Sequence, residues 1–345
     1  LDFGMELIDS DYATDQSKLD KLIKWSFLDP AAESELKTKI PRLNDIRGST
    51  TLAVQSQYES SPYPRWHKIN SFDPQSLSRV MTTQVPELKN REISWPAKPQ
   101  ILVAGCGTGQ QPIKTASAIA NAEILAVDLS LTSLAYGARC ASERGITNIH
   151  FAQANLLGLE SLGRRFDLIE CSGVLHHLEE PLEGWRVLTN ILNPAGFMKI
   201  ALYSETARRD VVAARRLISD KNFSSTPDGI RSFRNYISRL PAGHPALSVN
   251  RFRDFYAIPE CRDLLFNVQE HRFSVAKIRE ALKDLNLEFL GFTFRGQPVG
   301  KISSDFKTER GQLPIASSLE DWDDYEQKHP RTFSAMYQFW VQKRR

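Results

Sequence analysis

The chain has few cysteines and no long apolar run. Its 345 residues include four cysteines, and no two of them are close together in the sequence. This spacing argues against a disulfide framework and against a zinc knuckle. No stretch reaches the roughly 18 consecutive apolar residues that a membrane-spanning helix needs. Residues 1–10 carry acids where a signal peptide has a basic flank. We therefore expect a cytoplasmic protein with reduced thiols and no membrane partner.

Excess charge of either sign is also lacking. Lysine and arginine number 44 and aspartate and glutamate 41, which leaves a net charge of +3. A dedicated nucleic-acid binder is expected to be more basic. The hydrophobic share of 41% and the charged share of 25% match those of globular proteins, so extended disorder is excluded. The length suits two ordinary domains or one large elaborated domain.

The first part of the chain predicts a small helical lead-in. Apolar residues recur at helical spacing over residues 15–27, and a second short helix is expected over 31–39. Residues 57–66, which we call the aromatic segment, combine three tyrosine or tryptophan rings with two prolines. Proline limits helix formation, so we predict no regular helix there. We divide the chain into a lead-in with this segment (1–70) and a main domain (71–345).

From residue 100 onward, short apolar runs alternate with helical patterns. The predicted strands cover residues 101–104, 123–127, 148–152, 166–171, 197–203, 287–294 and 336–342. The alternation over the first five predicts a doubly wound α/β sheet. The last two strands have no crossover helix after them, so we expect them to pair antiparallel. Between the two groups, residues 205–272 predict a helical insertion at the carboxyl-terminal rim of the sheet.

A glycine-rich turn follows the first predicted strand. Gly105, Gly107 and Gly109 allow a tight turn and the close approach of a ligand, and a helix begins directly after them. The amino terminus of that helix offers free N–H groups. Asp128 ends the second strand, where an acid can accept hydrogen bonds from ribose hydroxyls. This order predicts a cofactor that contains a nucleoside, with a purely structural turn as the alternative.

The spacing of the glycines is G-x-G-x-G, whereas dinucleotide-binding folds use G-x-G-x-x-G. This argues against a nicotinamide-dependent oxidoreductase. The turn resembles motif I of the class I S-adenosylmethionine-dependent methyltransferases. Residues 166–178 look like the fourth strand and following loop of that family, and residues 193–197 look like its turn into the fifth strand. The resemblance implies a seven-stranded Rossmann-like sheet with an antiparallel C-terminal strand, and S-adenosylmethionine as the cofactor.

A narrower resemblance covers the aromatic segment and residues 128–136. These are similar to a bacterial subgroup in which the methyltransferase domain often follows tetratricopeptide repeats, although no such repeat is visible in this chain. The association suggests a protein or peptide side chain as the methyl acceptor. A small-molecule acceptor, or a noncatalytic module that binds S-adenosylmethionine, remains open as an alternative.

The family resemblance also assigns the cofactor site residue by residue. The implied cofactor-binding residues are Gly105, Gly107, Gly109, Asp128, Leu129, Asn155, Leu156 and Cys171. Two positions depart from the family pattern. Asn155 stands where many relatives have an aspartate near the adenine amine, and its amide oxygen can still accept from that amine. Ala104 stands where many relatives have an acid, so the methionine end of the cofactor is left without an assigned partner.

The acceptor side is less constrained by the sequence. A base is needed only if the acceptor arrives protonated. We predict His176, on the loop after the fourth strand, and Tyr203, at the end of the fifth, as catalytic residues. A helix cap and a packed ring are the structural alternatives for His176 and its neighbour His177. No acid–acid–histidine cluster stands beside them, so we expect no metal.

The aromatic segment completes the predicted site. Tyr58, Tyr63, Arg65 and Trp66 are predicted to bind the substrate as part of a lid. Arg65 could bind a carboxylate of the cofactor, in compensation for Ala104, or a carboxylate of the substrate. The alternative is a structural strap whose rings fill a groove on the sheet. Residues 262–263 and 269–272 of the insertion could extend into the same pocket or simply pair with each other.

Overall fold

A computed structural model describes residues 15–66, 68–70, 72–294, 299–311 and 318–344. The prediction made for residues 1–10 lies outside this range. Among the described helices, none combines the length and the apolar character that crossing a membrane would require.

A seven-stranded sheet forms the centre of the molecule, in the order β3-β2-β1-β4-β5-β7-β6. The strands are β1 (Gln100–Ala104), β2 (Glu123–Asp128), β3 (Ile149–Gln153), β4 (Phe166–Ser172), β5 (Leu192–Tyr203), β6 (Leu287–Phe292) and β7 (Met336–Lys343). Strands β1 to β5 pair in parallel, and β7 lies antiparallel between β5 and β6. The predicted doubly wound sheet with its antiparallel C-terminal pair is therefore confirmed.

Helices cover both faces of this sheet. In chain order they are α1 (Asp15–Ile23), α2 (Asp29–Lys39), α3 (Ser49–Ser60), α4 (Leu77–Gln84), α5 (Gln110–Ala118), α6 (Leu131–Ser142), α7 (Pro181–Ile191), α8 (Arg209–Asp220), α9 (Pro227–Ile237), α10 (Ile258–Leu265), α11 (Val275–Asp284), α12 (Val299–Arg310) and α13 (Leu319–Lys328). Short 3₁₀ turns include Leu156–Leu162, Leu175–His177 and Pro245–Arg251, and a π turn over Lys24–Leu28 continues α1.

The alternation of side chains along β1 divides the core into two layers. Leu102 and Ala104 point into one layer, which contains Trp185 of α7. Ile101 and Val103 point into the other, which contains Met81 of α4. Successive residues of a strand face opposite sides of the sheet, so one short run supplies both layers. Both layers leave the carboxyl-terminal edge of the sheet free for a binding site.

The segment predicted as an insertion, residues 205–272, folds as helices α8, α9 and α10 with a core of its own. Val211 of α8, Phe233 of α9 and Leu265 of α10 are buried in that core. The amide of Glu205 donates to the carbonyl of Phe273, so the insertion returns to the sheet where it left it. This arrangement holds the insertion over the ends of the strands. The division of the chain at residue 70 stays a prediction.

The structure differs from the predicted elements in three places. Helix α3 extends to Ser60, so the first part of the aromatic segment is helical. Proline disfavours the helical region for the residue before it, and the first proline of the segment is Pro62, beyond the helix end. Strand β5 begins at Leu192, and the predicted turn lies within it as an irregularity with Ala195 at φ +59°. Helices α12 and α13, between β6 and β7, were not predicted.

Candidate active site

A cavity of about 600 Å³ opens at the carboxyl-terminal edge of the sheet, a size typical of ligand pockets. Its lining includes three sets of residues. The ribose end is lined by Val54, Gly105, Gly107, Asp128, Leu129, Ser133, Asn155 and Leu156. The acceptor end is lined by Tyr58, Tyr63, His177, Tyr203, Asp254 and Asp263. The inner end is lined by Lys114, Thr115, Glu170, Lys199, Gln338 and Trp340.

Asp128 organises the ribose end. One of its oxygens accepts the amide of Gly107 at 2.8 Å, and the other accepts the amide of Ser130 at 2.9 Å. Burial raises the pKa of the carboxyl, although these amide donors act in the opposite direction. The carboxylate thus links the glycine turn to the start of α6. Each oxygen can accept a further hydrogen bond, so the ribose role predicted for Asp128 fits its position.

Both the shape and the polarity of the ribose end fit a nucleoside cofactor. A Cβ added to Gly107 would lie 2.7 Å from the carbonyl oxygen of Tyr63, and one added to Gly105 would lie 2.2 Å from a methyl of Val174. Only glycine therefore leaves this cradle open. The hydroxyl of Ser133 is buried at the cavity wall and has no hydrogen-bond partner among the described residues. A ligand with polar groups would satisfy it.

Two predicted cofactor residues are not among those that line the cavity, and their cofactor roles stay predictions. Gly109 packs against α6, where an added Cβ would lie 2.7 Å from the Cα of Gly137. It allows α5 and α6 to approach each other. Cys171 is fully buried in the core layer of Leu102 and Ala104, and burial raises the pKa of its thiol to about 12.

The other predicted cofactor residues line the cavity. Leu129 and Leu156 give it apolar wall at the ribose end. The side-chain oxygen of Asn155 accepts the amide of Leu157 at 3.1 Å. An amide oxygen has two lone pairs, so Asn155 can still accept from an adenine amine as predicted.

Tyrosines and carboxylates meet at the acceptor end. The hydroxyl of Tyr58 donates to Asp263 at 2.7 Å and accepts from the amide of Asn267 at 3.1 Å. The hydroxyl of Tyr63 donates to Asp254 at 3.4 Å. Burial raises the pKa of each of these two carboxyls and of both tyrosines. Two carboxylates partly withdrawn from water are therefore held beside aromatic rings.

Tyr203 lies between a histidine and an arginine. The guanidinium of Arg208 is 3.6 Å from the centre of the tyrosine ring, and the ring of His176 stacks on Tyr203 at 3.7 Å. Arg208 also forms a buried ion pair with Glu270 at 2.8 Å. Burial alone would raise the pKa of Glu270, but Arg208 lowers it below its ordinary value. The charge of Arg208 is thus compensated by Glu270.

The two adjacent histidines have different surroundings. His176 is fully buried, and its Nδ1 accepts the amide of Tyr203 at 3.3 Å. Its Nε2 has no hydrogen-bond partner in the part of the chain that the structure describes. His177 lines the cavity, and its Nδ1 lies 2.6 Å from the carbonyl oxygen of Gln269. Nδ1 must donate that bond, which leaves Nε2 of His177 as the unprotonated nitrogen.

The structure does not bring His176 to the cavity wall, and its predicted catalytic role stays a prediction. His176 does not line the cavity and supports Tyr203 from behind, as the structural alternative expected. Burial lowers the pKa of both histidines, that of His176 well below its ordinary value. His177 is the histidine at the cavity wall. Tyr203 lies on the wall as predicted.

The aromatic segment divides into a cavity wall and an anchor. Tyr58 and Tyr63 line the cavity, as predicted, and the Tyr63–Pro64 peptide bond is cis. Trp66 is buried away from the cavity, and its Nε1 donates to the carbonyl and hydroxyl oxygens of Thr108 at 3.2 and 3.1 Å. Arg65 is exposed. Trp66 thus takes the position of the structural strap, and the substrate roles of Trp66 and Arg65 stay predictions.

Sequence reasoning missed or left open several residues of the cavity. Asp254 lies outside every motif, and Ser133 and Glu170 lie within segments that resemble the family but received no role. Asp263 was one of two options within the insertion. Nothing in their local sequence indicates the cavity, because the fold brings them there from distant segments. Among the described residues, no three histidine, cysteine, aspartate or glutamate side chains are grouped as metal ligands would be.

Comparisons with known proteins agree with this geometry. A family model described as a methyltransferase domain matches residues 101–196. An uncharacterized Synechococcus protein, syc1184_c, is 31% identical over 303 residues, which cover 80% of this chain and 68% of that protein. An uncharacterized Rickettsia prowazekii protein, RP028, is 26% identical over 148 residues, which cover 42% of this chain and 56% of that protein.

Among solved structures, PKMT2 from Rickettsia typhi in complex with AdoHcy aligns with a TM-score of 0.56 at 17% identity. The alignment covers 81% of this chain and 56% of PKMT2. The chain thus spans little more than half of either Rickettsia protein. The seven-stranded sheet, the glycine turn with Asp128, the matched methyltransferase domain and the Synechococcus relative agree. The chain belongs to the class I S-adenosylmethionine-dependent methyltransferases, and S-adenosylmethionine is its cofactor.

Proposed function

We propose that the methyl acceptor is an amine on an aliphatic chain, and specifically the side chain of lysine in a protein or peptide. The observation that carries this proposal is the acceptor end of the cavity, where three tyrosines surround two carboxylates. Aromatic rings and carboxylates together favour a cation. A lysine ammonium is such a cation, and its four-carbon stem could lie along the rings.

The charge balance of the acceptor end supports a cationic acceptor. Arg208 forms its ion pair with Glu270 and not with either aspartate among the described residues, although its charge lowers the pKa of both. Asp263 is only 7% exposed and has hydroxyl and amide donors rather than a lysine or arginine partner among the described residues. A buried carboxylate without a cation is costly. An incoming ammonium group would supply the missing charge.

The residues of the site have separate tasks in this proposal. Bound S-adenosylmethionine supplies a methyl group activated by the positive sulfur. Asp254 and Asp263 bind the acceptor ammonium, and Tyr58 and Tyr63 orient these carboxylates through their hydroxyls. The nitrogen must lose a proton before it can attack, since an ammonium has no lone pair. Nε2 of His177 is the unprotonated nitrogen at the wall and accepts that proton.

The atoms of the transfer balance without a further reactant. A nitrogen–carbon bond forms at the acceptor while the sulfur–carbon bond of the donor breaks, and the sulfur takes the electron pair of that bond. The proton from the acceptor passes to His177 and then to solvent. The aromatic segment and the insertion exclude water from this end of the cavity, which strengthens the contacts with the carboxylates.

The relatives do not select the acceptor. The likeness to PKMT2 is one of fold, and no relative described above indicates tetratricopeptide repeats, so the repeat association stays a prediction. The proposal depends on the acceptor end alone. A small molecule with a hydroxyl acceptor would not need two carboxylates in this position.

The test is a methyl-transfer assay with radiolabelled S-adenosylmethionine and matched peptides. One peptide set carries lysine, a second has norleucine in its place, and a third carries acetylated lysine. We expect label only in the first set. The Asp263→Asn variant should lose about 10- to 100-fold in kcat/KM, because it removes a charged contact. Glu326→Gln is the matched control, since Glu326 is also buried and bound by hydroxyls but lies outside the cavity.

Two kinds of result would contradict this proposal. Labelling of the norleucine or acetylated peptides, or of a hydroxyl compound in a parallel small-molecule screen, would contradict an amine acceptor. Equal activity of Asp263→Asn and Glu326→Gln would show that the carboxylate does not bind the acceptor.

A further inference from the structure

The inner end of the cavity contains charges that the reaction described above does not use. Glu170 of β4 is buried, at 7% exposure, and one of its oxygens accepts the hydroxyl of Thr115 at 2.5 Å. Lys199 lies beside it on β5, since the two residues are register partners. Lys199 is also the register partner of Trp340 on β7, and its ammonium is 5.3 Å from that ring. A carboxylate and an ammonium therefore form one row with an aromatic ring across three strands.

This row lies near the carboxyl-terminal edge of the sheet. Glu170 precedes Ser172, the last residue of β4, by two positions, which corresponds to about 7 Å along the strand. Glu170, Lys199 and Trp340 all line the same cavity as the glycine turn. A ligand anchored at Asp128 can therefore extend to Glu170 without leaving the cavity.

The chemistry of the cofactor decides what enters this end. The sulfur of S-adenosylmethionine carries three substituents: an adenosyl group, the methyl group and a chain that ends in an ammonium and a carboxylate. Asp128 accounts for the adenosyl group, and the acceptor end accounts for the methyl. The amino-acid chain is the substituent that remains, and the inner end is a set of lining residues that combines a carboxylate with an ammonium group.

We infer that the inner end binds the amino-acid chain of the cofactor and that Glu170 binds its ammonium group. Lys199 then lies on the side of the cofactor carboxylate. A ligand with both charges matches a buried carboxylate beside a lysine, because each charge finds an opposite one. Two positions considered from the sequence do not supply this contact: Ala104 has no charge, and Arg65 is exposed. This inference rests on the cofactor and is independent of the amine acceptor.

Methylthioadenosine provides the test, because it keeps the adenosyl group but lacks the amino-acid chain. Calorimetric titration of S-adenosylhomocysteine and of methylthioadenosine separates the two parts of the site without any turnover. We expect Glu170→Gln to weaken S-adenosylhomocysteine binding about 10- to 100-fold, the range for a lost hydrogen bond to a charged group. Binding of methylthioadenosine should stay within about twofold of wild type.

Glu326→Gln serves as the matched control for both ligands, and thermal unfolding checks that each variant is folded. Glu170→Asp is the second variant, which keeps the charge on a shorter side chain. We expect it to lose part of the affinity for S-adenosylhomocysteine and none of the affinity for methylthioadenosine. Equal loss for both ligands in either variant would show that Glu170 supports the cavity as a whole. Unchanged binding of S-adenosylhomocysteine would place its ammonium elsewhere. Either result overturns the inference, and neither depends on which acceptor is methylated.

Discussion

The ring of His176 stacks on the ring of Tyr203 at 3.7 Å, and the Nδ1 of the same histidine accepts the backbone amide of Tyr203 at 3.3 Å. His176 therefore fixes the end of β5 from inside the core, while His177 turns toward the cavity. Two adjacent histidines on one short turn thus have different tasks. Substitutions of the two histidines should therefore differ in their effect on kcat.

We expect His177→Gln to lower kcat by about 100-fold or more, since it removes the proposed base. The affinity for S-adenosylmethionine should not change, because His177 does not lie at the ribose end. As the pH of the assay rises, the variant should recover part of its rate, because more of the acceptor amine is then deprotonated in solution. The measurement is a pH–rate profile of both enzymes.

The matched variant is His176→Phe, which keeps a ring against Tyr203 but loses the acceptor of the Tyr203 amide. We expect about 1–3 kcal/mol less stability and a smaller loss of kcat than in His177→Gln. A larger loss of kcat in His176→Phe, with a changed pH profile, would return the base to His176.

The carboxylate of Asp128 allows a prediction for cofactor binding. Asp128→Ala removes two contacts to ribose hydroxyls and releases the amide of Gly107, so the affinity for S-adenosylmethionine should fall about 30- to 800-fold. The protein should stay folded. Titration calorimetry on the folded variant measures the effect, and an affinity equal to that of wild type would show that Asp128 is not the ribose ligand.

Substitutions of the neighbours Trp66 and Arg65 should have different effects on stability. Trp66→Phe loses the hydrogen bonds to Thr108, so we expect the free energy of unfolding to fall by about 1–2 kcal/mol. Arg65→Ala should change neither stability nor cofactor affinity, because the side chain is exposed. Denaturant unfolding and titration of both variants check this. A loss of cofactor affinity in Arg65→Ala would restore the carboxylate role that we first predicted for it.

Asp263 allows a prediction for the pH dependence of stability. Burial raises its pKa above 3.8 in the folded state, although His177, Tyr58 and Arg208 act in the opposite direction. The folded state then holds the proton more tightly than the unfolded state does. The contribution of Asp263 to stability is therefore complete below pH 3.8 and is lost as the pH rises through the folded-state pKa.

Asp263→Asn should remove this pH-dependent loss while it keeps an acceptor for Tyr58. We expect the melting temperature of the variant, relative to wild type, to rise with pH across that window and to level off above it. Thermal unfolding at a series of pH values gives the comparison. If the melting temperature of the variant relative to wild type instead falls as the pH rises, the folded state favours the charged carboxylate.

The sequence predicted the sheet because its strands are short apolar runs separated by helical patterns. The glycine turn and Asp128 could also be predicted, since both belong to one contiguous strand–turn–helix–strand unit. Leu129, Asn155 and Leu156 followed from the family resemblance. The same resemblance assigned Gly109 and Cys171 to the cofactor, but it did not reveal that one packs against Gly137 and the other into the core.

The acceptor and inner ends could not be read from the sequence in the same way. Asp254 and Asp263 come from the insertion, Tyr58 and Tyr63 from the aromatic segment, and only the folded chain brings them together. Glu170 resembles any other residue of a strand until its register partner Lys199 is known. Such sites depend on contacts between segments up to about 200 residues apart, for which local patterns carry no information.

A crystal structure of the protein with S-adenosylhomocysteine and a lysine peptide would test the whole arrangement in one measurement. We expect the ribose hydroxyls at Asp128 and the cofactor ammonium at Glu170. The lysine nitrogen should lie among Tyr58, Tyr63 and Tyr203, within hydrogen-bond distance of Asp254 or Asp263. An acceptor nitrogen bound away from both carboxylates, with an intact cofactor in place, would contradict it.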